Sequence, residues 1–514
     1  MSIRIRQLGP ITLPLALALS SIGCSGGSAP DGGPEEDAAV EPSRDAGPAD
    51  QGTGDRDAGP PPLCERPPTN VGDCGPIEDR PILDVNNDIT EDTVWSCRNI
   101  YILNDVIYVR QPDDALPEDP RTQLTIEPGT IIRGVSGDND VSPPVFPGAL
   151  VVTRTGLLDA EGTREQPILF TSNRLPGDRR PGDWGGVVLL GRGTNNLATG
   201  EQNVEGLLTD ERSEYGAPVG EQDPDWDCGT LRFARIEFVG FDLSGMNELN
   251  ALTIGSCGTG TTIDHVQVHM GLDDGVELFG GSVDLSHIVT TAITDDNLDW
   301  DLGYSGRVQF LAVQQLPGSL TGEDPDHGFE SDSGLDENGE PRQPQSAPRL
   351  FNLTLIGEAS GEGVGMDLDS GTTPFIANAV VTSFGAGQLD IASTPTANAA
   401  RSGELVIQSS IFFAGDSDFN LNPSQDDEDD GFGEEVFGSM FGNRTVDPRL
   451  TPSGTFCPLW IPGPDSPLAD GAVAPSEADG APRRPFFDTG ATYVGAFEPG
   501  GDDWTLPWAA YPLD

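Results

Sequence analysis

Residues Asp273–Gly281 read DDGVELFGG, and 22 positions later Asp295–Gly303 read DDNLDWDLG. Below them fall DHGFESDSG from Asp326 and GVGMDLDSG from Gly363, then the shorter matches LDIAS from Leu389 and FNLNP from Phe419. One column of this stack contains Glu277, Asp299, Glu330, Asp367, Asp390 and Asn420; two residues on, another contains Phe279, Asp301, Asp332 and Asp369. Val276, Leu278, Leu298, Trp300, Phe329, Met366 and Leu368 alternate with these polar positions. Alternation with period two puts the apolar side chains on one face of a strand and the acids on the other. A short unit that recurs and cannot bury its apolar face alone is expected to stack on its own copies.

A second set of runs repeats in step with the first: FARIEFVG, DHVQVHMG, SHIVTTAI, QFLAVQQL, FNLTLIGE, ANAVVTSF and SSIFFAGD. Aligned on Ile236, Val266, Ile288, Leu311, Leu353, Ala379 and Ile411, they are separated by 30, 22, 23, 42, 26 and 32 residues. A base period in the low twenties, lengthened by insertions, suits one coil of a parallel β-helix. A propeller blade needs about 40 to 50 residues per repeat and fits less well. Gly and Pro interrupt most windows long enough for a helix, so the expected class is all-β.

The stacked acids raise an energetic problem. Coils lie about 4.8 Å apart, and two carboxylates at that spacing repel by roughly 3 kcal/mol at an effective dielectric near 20. A ladder on one outer face of the solenoid must therefore take up protons, splay into water or be bridged by cations. Hard oxygen donors point to Ca²⁺. The expected ligands are Glu277, Asp299, Asp301, Glu330 and Asp332 of the columns, with Asp273, Asp274, Asp295, Asp296 and Asp326 at the turn beside them. No contiguous EF-hand loop occurs, so such sites would be assembled across coils. His327 sits in the same register as an auxiliary ligand. His265 and His287 are 22 residues apart and are expected to stack on adjacent coils.

Composition sets the surroundings. The 514 residues include 84 acidic and 27 basic side chains, a net charge of −57, and every basic residue is Arg. Such a field repels nucleic acid and anionic surfaces and attracts cations. At the N-terminus, Arg4 and Arg6 precede an apolar run from Leu8 to Ile22 that is too short to span a bilayer, the pattern of an export signal. It ends in Ser21-Ile22-Gly23-Cys24, which resembles a bacterial lipobox, with Ser21 in place of the usual Leu. Residues 1–23 thus read as a lipoprotein signal peptide and Cys24 as the acylated residue. Ser25, rather than Asp, after that Cys implies an outer-membrane, cell-surface destination. Residues 24–62 are acidic and rich in Gly, Pro, Ala and Asp, with almost no large apolar side chains, so they are expected to be a disordered tether. A flexible coil of about 38 residues reaches roughly 35 Å. Six further Cys read as disulfides in an exported chain. Cys228 and Cys257, one coil apart with a short insertion, are expected to bridge.

Longer strings now carry a family resemblance: TQLTIEPGTIIRG, GALVVTRTGLLDAEGTREQPILFTS, GDWGGVVLLGR, NELNALTIGSCGTGTTIDHVQV and, at the end, YVGAFEPGGDDWTLPWAAY. They resemble a family of bacterial secreted or surface-anchored right-handed parallel β-helix proteins of the pectin-lyase-like kind, mostly without an assigned biochemical role. The resemblance runs from about Ile82 to the C-terminus. It implies a right-handed β-helix domain over 82–514, preceded by a Cys-containing segment at 63–81. Many relatives carry a C-terminal sorting domain; this chain stops at Asp514 without one, consistent with lipid anchoring. The fold also hosts pectate lyases and polygalacturonases. A Ca²⁺-dependent polysaccharide lyase or glycoside hydrolase is therefore the competing expectation to an adhesion or glycan-binding module. For a lyase, Arg307 is the nearest base, unless it serves as charge partner to Asp299 or Asp301. The Arg-x-Lys of polygalacturonases has no counterpart in a Lys-free chain, and no GxSxG, Walker or dinucleotide motif is present.

Overall fold

The chain winds from one sheet to another and back roughly every coil. In a computed structural model, the described residues are 74–514 except 117–118, 140, 142–143, 244–247, 362, 415–431, 452–461 and 479–483. The signal peptide, the tether, Cys24, Cys64, Cys457 and Asn420 lie outside them. Leu252–Gly255 belongs to a seven-stranded sheet, Thr262–Gly271 to a fifteen-stranded one, and Val276–Phe279 returns to the first sheet directly beside Leu252–Gly255. Both sheets are parallel through these coils, and the architecture is a right-handed parallel β-helix. Among the described residues no helix is long and apolar enough to cross a membrane.

Inward-facing residues form one continuous core. Val276, Leu278, Leu298, Trp300, Phe329, Met366 and Leu368 are all fully buried, as their alternation requires. Trp300 and Phe329 of neighbouring coils meet with ring centroids 5.0 Å apart.

The larger sheet bends in mid-strand. Phe233, His265, His287, Phe310, Asn352, Asn378 and Ser409 all have φ between 45° and 63° and occupy one column of the register. A left-handed residue costs an L-amino acid about 1–2 kcal/mol, so each coil must recover that energy locally. The lower coils do so by stacking: Phe233–His265, His265–His287 and His287–Phe310 lie 4.3, 4.1 and 4.7 Å apart. The upper coils use Asn, a residue enriched in this conformation. Asn352 donates to Tyr493 O at 2.7 Å, and Asn378 donates to Val473 O at 2.8 Å. Those acceptors belong to the C-terminal segment, which lies as a strap along the corner. Gln267 exchanges hydrogen bonds with Ala510, and His269 Nε2 meets Pro512 O at 2.6 Å.

Two steps of the sequence alignment are corrected. Ala234, not Ile236, pairs with Val266, and Val380, not Ala379, pairs with Ile411. The remaining four steps pair as aligned. A strand bent at a left-handed residue keeps its apolar alternation on both sides of the bend. The pattern alone therefore cannot distinguish positions two apart, and near Ile411 the final coil is split into two short strands.

Cys228 and Cys257 form a disulfide, as do Cys74 and Cys97. Both Cys228 and Cys257 are fully buried, clipping together coils 29 residues apart. Constraint of the unfolded chain by a loop of that size is worth about 3–4 kcal/mol in the loop-entropy treatment. Cys228→Ser/Cys257→Ser should accordingly melt several degrees lower than the wild type, and a non-reducing peptide map should show the pair joined. A free thiol at either position in the native protein would contradict the assignment.

Candidate cation site on the seven-stranded sheet

The columns read from sequence are columns of the sheet. Glu277 pairs with Asp299, Asp299 with Glu330, and Asp367 with Asp390. Asp367 N donates to Phe329 O and Asp369 N to Ser331 O, which carries the register across the coil between them. Phe279 pairs with Asp301. Beside the ladder, the turn residues Asp273, Asp274, Asp295, Asp296 and Asp326 fall at corresponding positions of successive coils. The carboxylates thus converge from strand and turn on one side of the sheet.

The expectation of an open outer face is corrected. Asp274, Glu277 and Asp296 are only 7, 7 and 3 % exposed. The chain between Val187–Leu190 and Gly229–Val239 folds back over this side of the sheet. Its Leu197, Val204, Leu207 and Tyr215 pack with Leu249 and Leu302, and Tyr215 stacks on Phe279 at 5.6 Å. Arg154 holds the insertion down through Glu201 at 2.7 Å and Glu214 at 2.5 Å. An acid ladder that faces away from the core is covered by a second, smaller core.

Burial has a large electrostatic consequence. Desolvation, followed by the charges of Asp295, Glu248 and Glu205, pushes the Asp273 carboxyl up to about 8. Burial and the neighbouring carboxylates raise Asp295 to about 7 and Glu330 to about 9. Burial foremost raises Asp332 and Asp367 to about 7 each, and it raises Asp301. Asp274, Glu277 and Asp299 are pushed well above the carboxylate range by desolvation and by one another.

The upper and lower parts of the ladder differ in how they meet this charge. In the upper part, His327 is held among three carboxylates. Its Nδ1 lies 2.8 Å from Asp296, and its Nε2 lies 3.3 Å from Asp326 and 3.5 Å from Asp367. Burial works against the imidazolium, but the Asp296 hydrogen bond and the acids around it win, and the pKa rises to about 10. This residue, expected as an auxiliary ligand, is placed as the chain's own cation. In the lower part, Asp274, Glu277 and Asp299 face, among the described residues, other acids, Asn250 and neutral polar groups. Asn250 donates to Glu277 and accepts from Asp274 N at 3.2 Å.

The lower part has the geometry of a divalent-cation site. Oxygens bound to one Ca²⁺ at about 2.3–2.6 Å lie no more than about 5 Å apart. One oxygen each of Asp274, Glu277 and Asp299 falls within 4.8 Å of the others, as does one each of Asp273, Asp274 and Asp295. Among the described residues, Asp299 Oδ1, Thr253 Oγ1 and Tyr215 Oη are buried here without a hydrogen-bond partner, as are Asp332 Oδ1 and Asp367 Oδ1 in the upper part. Thr253 pairs with Glu277 in the register and faces the same side. Tyr215 lies in the field of Glu277 and Asp301. An all-oxygen donor set of this kind suits Ca²⁺ or Mg²⁺ rather than a softer metal.

Glu205, Glu248, Asn250 and Thr253 belong to this site and were not among the sequence expectations. Asn250 and Thr253 were within reach, because extending the stack back by one coil sets LNALTIG beside DDGVELF and places them next to Asp274 and Glu277. Glu205 and Glu248 lie in an insertion and a hairpin outside the repeat, where no periodicity marks them.

Arg307 lies elsewhere, in the larger sheet. Its guanidinium meets Asp284 at 2.5 Å and Glu477 at 2.6 Å, so the expected pairing with Asp299 or Asp301 is corrected. The apolar alternation fixes which strand it occupies but says nothing of the strap that brings Glu477. Burial works against its charge, but the Asp284 and Glu477 hydrogen bonds win and raise its pKa. His265 and His287 stack as expected, both with Nδ1 near Asp264, at 2.8 and 3.0 Å. The rings lie 4.1 Å apart, tilted by 18°, so the pair forms a stacked, hydrogen-bonded corner.

No curated protein and no solved structure matches the chain. A family model described as a pectate-lyase-like beta helix domain matches residues 87–446, a span that contains the seven-stranded sheet, the whole acid ladder and the bent strands. With the coil register, the left-handed corner and this match in agreement, the chain belongs to the pectate-lyase-like β-helix family.

Proposed function

We propose that this protein is a lipid-anchored, cell-surface β-helix whose seven-stranded sheet is held by Ca²⁺, and that it serves as an adhesion or glycan-binding module. The observation that carries the reading is the contrast within the ladder. His327 sets a cation among the upper carboxylates, whereas Asp274, Glu277 and Asp299 converge below it, buried, with Asp299 Oδ1 unpartnered among the described residues. A bound divalent ion at that position would fasten the covering insertion, through Glu205, and the neighbouring hairpin, through Glu248, to the sheet. The lipobox-like Ser21–Cys24 supports anchoring, and the acidic tether supports display of the domain away from a lipid surface.

A calcium-dependent lyase or hydrolase would need a group able to accept a proton. Arg307 is held charged by two acids, which disfavours it as the base of a lyase. Calorimetric titration of chelator-treated protein with Ca²⁺ and with Mg²⁺ tests the ion, and a panel of neutral and acidic polysaccharides tests the ligand class. Absence of heat and of any melting shift with either ion would remove the cation site. Polysaccharide turnover would favour the enzyme. For the anchor, Cys24→Ser should leave the precursor uncleaved or release the protein into the aqueous phase of a detergent partition. Unchanged partitioning would refute acylation at Cys24.

A further inference from the structure

We propose that a second groove, on the flank away from the acid ladder, binds a neutral oligosaccharide. This inference rests on the glycan-binding reading above and gives it a location. The groove has a volume of about 740 Å³, within the roughly 300–1,000 Å³ typical of small-ligand sites. Its floor is the start of three bent strands, where Thr262 pairs with Asp284 and the next strand adds Arg307. One wall is the Asp225–Thr259 contact, and the other is the strap at Arg484–Phe486.

The groove is charge-balanced in a protein of net charge −57. Asp284 is matched by Arg307, and Asp264 by Arg232 at 2.9 Å together with two histidines. A polyanionic chain is repelled by the molecule as a whole and would find only one unmatched cation here. That cation is Arg484, which is exposed and has no ion-pair partner among the described residues. An uncharged glycan meets no such repulsion. The groups on offer also suit sugar hydroxyls. His287 has Nδ1 tied to Asp264 and Ser286, which leaves Nε2 without a hydrogen-bond partner among the described residues. Planar Asp and Arg side chains can engage adjacent hydroxyls in pairs. Phe486 is half-buried, with Arg307 against its ring at 5.0 Å, and offers an apolar surface for the C–H face of a pyranose.

The test uses the full chain and a panel of glucose, mannose and galactose hexasaccharides beside polygalacturonate and alginate oligomers. At least one neutral hexasaccharide should bind. Phe486→Ala should weaken that binding at least tenfold and Arg484→Ala several-fold, while Asp210→Asn, at a residue paired with Arg212 away from the groove, should leave it unchanged. Arg484 is exposed, so its variant reports on the groove even if Phe486→Ala disturbs folding. Neutral-glycan binding unaffected by either groove variant, or binding of the acidic oligomers alone, overturns the groove and leaves a glycan-binding module standing. If nothing on the panel binds, the module reading falls, and the groove with it.

Discussion

Stripped of divalent cations, the protein should become less stable as pH rises from about 5 to about 9, and Ca²⁺ should remove most of that slope. In the fold, Asp273, Asp295, Glu330, Asp332 and Asp367 hold their protons up to between about 7 and about 9. In the unfolded chain they release them near 4. Between those limits the native state binds more protons than the unfolded state, so stability falls with rising pH. Each carboxyl in that condition costs about 1.4 kcal/mol per pH unit. His327 adds to the trend at the alkaline end. Its folded pKa is raised to about 10, so its contribution is complete below about 6.5 and is lost as pH approaches 10. A bound Ca²⁺ takes the place of the protons and keeps the acids ionised. At about 100 times its dissociation constant it should contribute roughly 2.7 kcal/mol per independent site.

Melting curves at several pH values, with Ca²⁺ and with chelator, check this directly. The chelator effect should be largest at low ionic strength, where repulsion is least screened. Asp299→Asn should lose less on chelation than the wild type, because it removes a ligand and a repulsive charge together. Asp210→Asn should respond as the wild type does, since Asp210 is bound to Arg212 at 2.8 Å, away from the ladder. A wild-type melting curve that falls with pH but is indifferent to calcium and chelator would leave the ladder as a buried proton-sharing network with no ion, and indifference to pH as well would overturn the buried, protonated ladder itself.

Much of this site was legible because solenoid sequence and solenoid space run in step. Once Asp273 and Asp295 are aligned at an offset of 22, the columns follow, and with them the neighbours of Glu277, Asp299 and Glu330. Burial was not legible. The pleat says that Glu277 faces away from the core, but whether water or another segment lies there depends on where the insertion returns. The insertion's apolar residues, Leu197, Val204, Leu207 and Tyr215, have no repeat to fix their register. The strap was equally hidden: its closing motif could be recognised as a string, but its bonds to Gln267, His269, Asn352 and Asn378 join residues with no periodic relation. The left-handed corner left a trace in Asn352 and Asn378, obscured lower down because Phe and His fill the same column by stacking.

Arg307→Ala should be among the most damaging single substitutions in the larger sheet, and its damage should be structural. Arg307 is 5 % exposed. It donates Nε to Asp284 at 2.9 Å, and Nη1 to Glu477 at 2.6 Å and to Arg484 O at 2.9 Å. Glu477 in turn accepts from Phe486 N at 2.8 Å, so one guanidinium fastens the strap to the sheet. Removing one partner of a buried ion pair costs about 3–5 kcal/mol, because the remaining charges stay desolvated and unmatched. Arg307→Lys keeps the charge but loses the fork that meets two carboxylates, and should recover only part of the loss. Proteolysis near residues 477–488 should accelerate in Arg307→Ala. Acid sensitivity should change as well. The backbone and Arg307 bonds to Glu477 outweigh its desolvation and hold its pKa below the usual value. That stability is present above the unfolded pKa and lost as pH falls through the folded one, so a variant lacking Arg307 has less of it to lose on acidification. Melting and limited proteolysis separate this from catalysis: Arg307→Ala that melts with the wild type and resists protease equally, yet loses a polysaccharide-cleaving activity the wild type possesses, would make Arg307 a catalytic group instead of a fastening for the strap.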